Sequence, residues 1–402
     1  MEPYSIYLHI PFCRSRCGYC DFNTTAGLEA YIPAYAAALC REIKILGLSS
    51  GLRLPVHTVY FGGGTPSLVP PEQYALIFSA LADTFDLLPQ AEISMEANPG
   101  TVSLAYLSSL HSLGFNRISF GMQAAHPLDL ALLGRRHTFF DTIQAVNWSR
   151  QAGFQNLNLD LIFGLPHQPL DRWRENLERA LELDPEHLSL YALTLEAGTP
   201  LDRMVSRGLV ASPDDDLAAD AYEAATEILK AAGYRQYEIS NWAKTAADGT
   251  LLACVHNLQY WRNLSYLGFG AGAHGCAAGL RVANVSSMAE YIRRCDSGRE
   301  ESQFPVGPAC EERLERDLFT EMQETLMLGL RLTEEGVSRT GFHARFSMPL
   351  ETVFQREVDD LQRLGLLEWG GENFDRLRLT SRARLLGNQV FLRFVSNGDG
   401  RA

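Results

Sequence analysis

From the N-terminus to about residue 200, short runs of β-branched and aromatic residues alternate with longer segments whose apolar positions recur at i, i+3 and i+4. The short runs Ser5–Ile10, Thr58–Phe61, Glu92–Glu96, Arg117–Phe120, Asn156–Phe163 and His187–Leu193 read as strands. Between them, Tyr31–Leu46, Pro71–Ala82, Ser103–Leu113, Phe140–Ala152 and Leu170–Leu183 read as helices, several opened by Pro or Ser. Repeated strand-helix units predict a parallel sheet, and six units without a seventh and eighth predict an open, incomplete (β/α)6 barrel with functional residues at the strand C-termini. A further helix at Asp214–Ala232 and strand at Tyr234–Ile239 would extend the barrel wall. Beyond the Pro/Gly run Phe304–Pro308 the pattern changes to helices at Glu311–Leu330, Leu350–Leu364 and Ser381–Phe391, with strands Leu367–Trp369 and Arg376–Leu379 around Gly370–Asn373. The expected fold is therefore α/β, an incomplete parallel (β/α)6 barrel (1–240), an extension (241–304), and a C-terminal helical, winged-helix-like domain (305–402).

Composition narrows this picture. With 402 residues, 46% of them hydrophobic, the chain can bury a large core without covalent staples. Eight cysteines, five of them scattered at Cys40, Cys254, Cys276, Cys295 and Cys310, do not form a secreted disulfide framework. No run of 18 apolar residues occurs and a strand begins almost at once, so the chain reads as soluble and cytoplasmic. The net charge of −13 argues against nucleic acid as a partner. Even the winged-helix-like segment 311–395 carries 12 Arg, no Lys and 15 Asp/Glu, a net of −3, which favours a packing or docking module over DNA binding.

The candidate chemistry is concentrated in His9-Ile10-Pro11-Phe12-Cys13-Arg14-Ser15-Arg16-Cys17-Gly18-Tyr19-Cys20, three thiols at Cys-x3-Cys-x2-Cys spacing directly after a strand. Three thiolates on one loop can hold three irons of a cuboidal 4Fe-4S cluster and leave the fourth open to a small molecule. The rival is a zinc site, whose fourth ligand would come from His9, Asp21 or a distant cysteine. After the second strand, Gly62-Gly63-Gly64-Thr65 lets backbone N–H groups approach a ligand, and the Gly-Lys-Ser/Thr ending of a phosphate loop is absent. Polar residues recur where later strands end, at Glu96, Gln123 and Asp160, with Arg135 on a following loop. A carboxylate can accept from two hydroxyls, and an arginine fork pairs with a carboxylate. In Cys254-Val255-His256-Asn257-Leu258-Gln259-Tyr260-Trp261, an imidazole and a thiol stand beside two aromatic faces that suit a porphyrin, although such a histidine in isolation is more often a core residue.

The cysteine spacing, with the preceding Tyr7-Leu8-His9-Ile10-Pro11-Phe12, resembles the radical S-adenosylmethionine superfamily, in the branch containing the oxygen-independent coproporphyrinogen III oxidases (HemN) and the HemW haem chaperones. This resemblance implies a 4Fe-4S cluster on Cys13, Cys17 and Cys20, with S-adenosylmethionine on the open iron. It places the cofactor's amino group at Gly63, Gly64 and Thr65, and its ribose hydroxyls and carboxylate at Glu96, Gln123, Arg135 and Asp160. Tyr7 and Tyr19 would lie near cluster and adenine, with Ala192 contributing backbone. In the oxidases a fourth cysteine follows two positions after the third, where this chain has Phe22. His256-Asn257-x2-Tyr260-Trp261 and the glycine-rich Tyr266–Gly275 are similar to motifs of the chaperones. The resemblance thus implies a haem chaperone that binds haem through Cys254, His256, Asn257, Tyr260 and Trp261 and delivers it to apo-haemoproteins such as respiratory-chain components. The alternatives are a coproporphyrinogen III oxidase, or a radical enzyme on an unrelated substrate in which the aromatic motif is structural. No catalytic residue is assigned, and monomer or dimer and peripheral membrane contact stay open.

Overall fold

The computed structural model describes residues 2–297 and 302–395; the outermost parts of the three sequence divisions, at 1, 298–301 and 396–402, lie outside them. The chain opens with strand β1 (Tyr4–Ile10), the two-residue strands β2 (Phe12–Cys13) and β3 (Thr25–Ala26), and helix α1 (Ile32–Ser49). Regular alternation follows: β4 (Pro55–Gly63), α2 (Pro71–Thr84), β5 (Asp86–Ala97), α3 (Leu104–Ser112), β6 (Arg117–Gln123), α4 (Pro127–Leu132), α5 (Phe139–Ala152), β7 (Asn156–Phe163), α6 (Leu170–Glu182), β8 (His187–Ala192), α7 (Pro200–Ser206) and α8 (Asp215–Ala231). A hairpin of β9 (Arg235–Glu238) and β10 (Asn241–Ala243) and helix α9 (Val255–Trp261) come next. Then β11 (Tyr266–Phe269), β12 (His274–Ala277), β13 (Leu280–Asn284), α10 (Met288–Asp296) and β14 (Cys310–Glu315) complete the first unit. The chain ends with α11 (Leu318–Gly329), β15 (Val337–Ser338), α12 (Arg339–Phe346), α13 (Leu350–Arg363), β16 (Leu367–Gly370), β17 (Arg376–Leu379) and α14 (Gly387–Phe391).

Two compact units result, 1–232 with 265–314, and 233–264 with 315–402. They divide the chain differently from the sequence divisions, because residues 265–314 return to the first unit while 233–264 join the C-terminal segment. The Pro/Gly run Phe304–Pro308 lies inside the first unit.

In the first unit the strands run in the order β14-β13-β12-β11-β1-β4-β5-β6-β7-β8. β1 to β8 of this series pair in parallel, as does β11 with β1. β12 and β13 pair antiparallel beyond β11. The incomplete parallel barrel is present as expected, and the sheet is longer on the β11 side than the six predicted strands. Glu311–Leu330, predicted as one helix, is a strand to Glu315 and a helix only after Asp317, whose side chain accepts from the Thr320 amide at 2.7 Å and caps it. Pairing at the sheet edge overrides the helical preference of Glu311, Glu312 and Arg313. Ser381–Phe391 likewise divides into a 3-10 turn and the short α14.

Strand periodicity sorts the barrel's two faces. Ile6, Leu8, Val59, Phe61, Met95, Ile118, Phe120, Leu157, Leu159, Leu188 and Leu190 are buried, and Phe61 packs edge-on against Tyr74 of α2 at 5.1 Å. The alternate positions are polar and joined to one another: Thr58 Oγ1 donates to Ser5 Oγ at 2.6 Å, and Asn158 Nδ2 donates to Ser119 Oγ and Asp160 Oδ1, each at 2.7 Å. Asn158 Oδ1 lies 2.6 Å from His187 Nδ1 and accepts from Ser189 Oγ at 3.1 Å. A TIM-type interior is filled with aliphatic side chains; this one carries hydrogen-bonded polar side chains beneath the strand C-termini.

α1 carries the buried Glu42, 1% exposed, which accepts from the Gly270 amide (2.9 Å), Asn284 Nδ2 (2.6 Å) and Tyr291 Oη (2.6 Å). Burial pushes its carboxyl up to about 7, against the pull of those three donors. Because the folded value lies above the ordinary 4.5, its contribution to stability is complete below pH 4.5 and is lost as pH rises through about 7. The melting temperature of the metal-free protein is expected to fall across this window. Glu42→Gln should remove a pH-dependent change in stability on the order of 3 kcal/mol across this window, and identical pH profiles for variant and wild type would contradict this.

In the second unit α11, α12 and α13 pack with the antiparallel sheet β15-β17-β16 around Leu326, Leu330, Phe342, Phe354, Leu361 and Leu377. Three helices and a small hairpin sheet give the winged-helix-like arrangement predicted from the sequence.

Candidate functional site

The cysteine loop leaves β1 at Ile10 and is closed at its base by β2 and β3, which pair Phe12 with Thr25 and Cys13 with Ala26. Neighbouring loops hold its middle: the Gly18 amide donates to Leu133 O at 3.1 Å, and the Leu201 amide to Gly18 O at 2.9 Å. Burial pushes the Cys13 and Cys20 thiols up, and the Cys17 charge adds to both. Cys13 Sγ lies 3.5 Å from Thr65 Oγ1, and Cys17 Sγ accepts from Arg135 Nη1 at 3.4 Å. These are soft donors with cationic and hydroxyl support, the set that an iron-sulfur cluster uses. Both ring nitrogens of His9 are engaged, Nε2 with Asn23 O at 2.8 Å and Nδ1 with Tyr7 Oη at 3.0 Å, so His9 is not placed to complete a zinc site. Among the described residues no three His, Cys, Asp or Glu side chains gather around one point as a single metal ion would require.

Of the other residues singled out from the sequence, Gly63, Glu96, Gln123 and Ala192 lie at or next to the C-terminal ends of β4, β5, β6 and β8, Tyr7 and Asp160 lie within β1 and β7, Gly64 and Thr65 follow β4, Arg135 follows α4, and Tyr19 lies in the cysteine loop. Glu96 accepts from Tyr60 Oη and from the Gly63 amide, both at 3.0 Å. Burial first, then the Asp160 charge, pushes its carboxyl up to about 7. Gly63 has φ +112°, and a Cβ there would sit 2.4 Å from the His9 ring. Asp160 accepts from Ser119 Oγ at 2.8 Å and from Asn158, and burial raises it. A register shift in β6 between Phe120 and Gln123, with Gln123 at φ +64°, turns that side chain back over Gly121. A Cβ on Gly121 would meet Gln123 Nε2 at 2.7 Å and Arg135 Nη2 at 3.2 Å. Arg135 Nη2 donates to Gly121 O at 2.8 Å, while its buried Nε has no protein partner. That spare donor suits a carboxylate. Tyr19 packs with Leu133, Ile162 and Leu165, and burial raises its hydroxyl against the pull of Arg135. Ala192 ends β8 opposite Phe163 and is exposed.

The structure thus joins Glu96 to Gly63, Cys13 to Thr65 and Cys17 to Arg135. It adds Tyr60 and Asn23, which the sequence reading passed over. Tyr60 shares a strand face with Gly62 by its spacing of two, which was a usable signal; Asn23 has no periodic signature.

The motif residues His256, Asn257, Tyr260 and Trp261 lie in the second unit on α9, with Cys254 as its N-cap residue. His256 and Cys254 are each 1% exposed. The imidazole Nε2 lies 2.9 Å from Tyr260 Oη, with the rings nearly perpendicular at 4.9 Å. Asn257, Tyr260 and Trp261 are half-buried, and the Arg331 guanidinium lies 4.3 Å over the Trp261 ring. His256 is thus buried, with its Nε2 engaged by the Tyr260 hydroxyl.

The chain is similar to known proteins over most of its length. Residues 7–180 match the model of the Radical SAM superfamily, and 318–386 that of the HemN C-terminal domain. Over 400 residues the chain is 36% identical to the protein named Heme chaperone HemW of Mycobacterium tuberculosis H37Rv, covering 97% of this chain and 94% of that one. To the Heme chaperone HemW of Bacillus subtilis 168 it is 35% identical, covering 97% and 99%. Among solved structures, coproporphyrinogen III oxidase (HemN) from Escherichia coli shares the fold, with a TM-score of 0.81 at 22% identity over 98% of this chain and 90% of that one. With this likeness running almost end to end and the cysteine loop seated on the expected barrel, the chain belongs to the HemW family of the radical SAM superfamily.

Proposed function

We propose that this protein is a haem chaperone: it holds a 4Fe-4S cluster and S-adenosylmethionine in the barrel, binds haem, and passes it to apo-haemoproteins such as respiratory-chain components. The observation that carries this reading is the 36% identity, over 97% of the chain, to a protein named a heme chaperone. Phe22, 60% exposed, stands where the oxidases have their fourth cysteine, in keeping with it.

Cys13, Cys17 and Cys20 would hold three irons of the cluster, and S-adenosylmethionine, when bound there, supplies a route to reductive radical chemistry. The chain's own residues orient and desolvate it. The Gly63, Gly64 and Thr65 amides already donate to Glu96, Ile10 O and Phe12 O, so this turn would meet the cofactor's amino group through carbonyl oxygens, and Glu96 offers a carboxylate already fixed by Tyr60. Arg135 spans from Cys17 to Gly121 with a donor to spare. Haem would be met by the flat faces of Tyr260 and Trp261, with His256 as the axial nitrogen once it turns outward. No helix among the described residues is long and apolar enough to cross a membrane, and we place the protein in the cytoplasm.

Titration of haem into the anaerobically reconstituted protein, followed by its Soret band, tests the reading. Saturable stoichiometric binding is expected. His256→Ala should weaken it at least about tenfold, whereas Tyr260→Phe, which removes the hydroxyl from Nε2 and keeps the ring, should leave it equal or tighter. Absence of saturable binding in the wild type, or turnover of coproporphyrinogen III to its decarboxylated product, would overturn the chaperone assignment.

A further inference from the structure

The glycine-rich stretch Tyr266–Gly275 has no role in the reading above, yet it meets both stems of the cysteine loop. On the leading stem, Tyr35 Oη donates to His9 O at 2.8 Å and accepts from the Ala271 amide at 2.9 Å. Gly270, at φ +102°, lies so close that a Cβ would stand 2.6 Å from both His9 O and Tyr35 Oη. On the trailing stem, three positions after Cys20, Asn23 Nδ2 donates to Ala271 O and to Ser286 O, each at 3.0 Å. Gly272, at φ +74°, would place a Cβ 2.5 Å from that same amide nitrogen. The stems are tied to each other as well, through His9 Nε2 and Asn23 O at 2.8 Å. The turn itself is fixed from behind by Glu42 on the Gly270 amide and by Asn284 Nδ2 on Gly270 O at 3.0 Å.

We infer that the Gly270–Gly272 turn is a clamp on the cysteine loop and that Asn23 is its positioning residue, holding the loop's two stems at a fixed separation whether or not a cluster is present. The physical gain is preorganisation: with the stems fixed, the cluster orders only the loop tip, and less conformational entropy opposes its binding. Side chains outside the ligand set that orient a metal loop typically change metal retention by about 10- to 100-fold when removed. Both donors of the Asn23 amide are used, on two carbonyl oxygens. Asn23→Asp would turn a carboxylate oxygen toward a carbonyl and should therefore be worse than Asn23→Ala, which only deletes the bonds. Gly272→Ala strikes the same amide from a position 249 residues away in sequence and should reproduce the defect.

The inference rests on the cluster reading of Cys13, Cys17 and Cys20. It is tested on the full-length, anaerobically reconstituted protein by the rate of iron release to a ferrous chelator and by the electron paramagnetic resonance of the reduced cluster with and without S-adenosylmethionine. Asn23→Ala and Gly272→Ala are expected to lose iron about tenfold faster than wild type, and Asn23→Asp faster still, with an altered response of the spectrum to S-adenosylmethionine. Wild-type rates and spectra in all three would overturn the clamp, whereas a wild type that takes up no iron would overturn the cluster reading instead. Because the variants could fail to fold, hydrogen exchange on the metal-free wild type gives an independent arm. The Thr25 and Gly27 amides, bonded to Pro11 O at 2.7 Å and Cys13 O at 3.3 Å, should stay protected without iron; free exchange there would also overturn the clamp.

Discussion

Substitution of Cys17 by alanine is expected to leave a folded protein that retains almost no iron. Reconstituted wild type should carry about four irons per chain, and the variant less than about one, read by iron analysis and by loss of the broad absorbance of the cluster. Each cysteine of the loop would bind a different iron, so no neighbouring thiol can replace the missing one. Cys17 is also the thiol that accepts from Arg135 at 3.4 Å, and its charge bears on both Cys13 and Cys20. Its side chain is half-exposed, so its removal opens no core cavity and the fold should lose less than about 1 kcal/mol. Cys40→Ala, outside the loop on α1, serves as the control and should keep its iron. Full iron content in Cys17→Ala would mean that the loop is not the cluster site.

A comparably large effect is expected from a single methyl group at Gly64. A Cβ there would lie 2.7 Å from Phe12 O, 2.8 Å from Ile10 O and 2.9 Å from Pro11 C. All three are backbone atoms, so no rotamer change relieves the overlap. The same turn is pinned by the Gly64 amide on Ile10 O and the Thr65 amide on Phe12 O, both at 2.8 Å. Either the glycine loop or the first stem of the cysteine loop must therefore move. Gly64→Ala should cost about 2–4 kcal/mol of stability, measured by denaturant unfolding. It should also weaken S-adenosylmethionine binding to the reconstituted protein by at least about tenfold, measured by equilibrium dialysis. Gly51→Ala is the matched comparison. Gly51 has φ +68° with nothing within 4 Å of the added Cβ, so only backbone strain of about 1 kcal/mol is expected and cofactor binding should be unchanged. Equal behaviour of the two variants would show that the Gly64 contact is not what shapes the site.

Much of this protein is legible in the residue order because the relevant signals are local. The period-two runs at Ser5–Ile10 and Asn156–Phe163 and the helical spacing between them specify strands and helices within a few residues of themselves, and their alternation leads to the parallel barrel. The Cys13, Cys17 and Cys20 spacing is local too, as are the glycines after β4 and the carboxylates at the ends of β5 and β7. Tertiary structure decided what depends on pairing between distant segments. Cys310–Glu315 has the composition of a helix and is a strand because a sheet edge offers its backbone partners. Asn23 carries no periodic signal, and its role exists only because Ala271, 248 residues away, lies at its amide. Glu42 looks like any surface glutamate of an amphipathic helix, yet Tyr291, 249 residues on, and Asn284 enclose it. His256, whose neighbours Tyr260 and Trp261 suggest an open ligand, is folded inward because a spacing of four on α9 puts the Tyr260 hydroxyl on its Nε2 and the core around its ring. Sequence by itself therefore determined the barrel and the chemical types gathered at its strand ends. Long-range contacts alone decided which of those groups are buried, paired or strained, because burial and charge are properties of neighbours that the chain acquires only when it closes on itself.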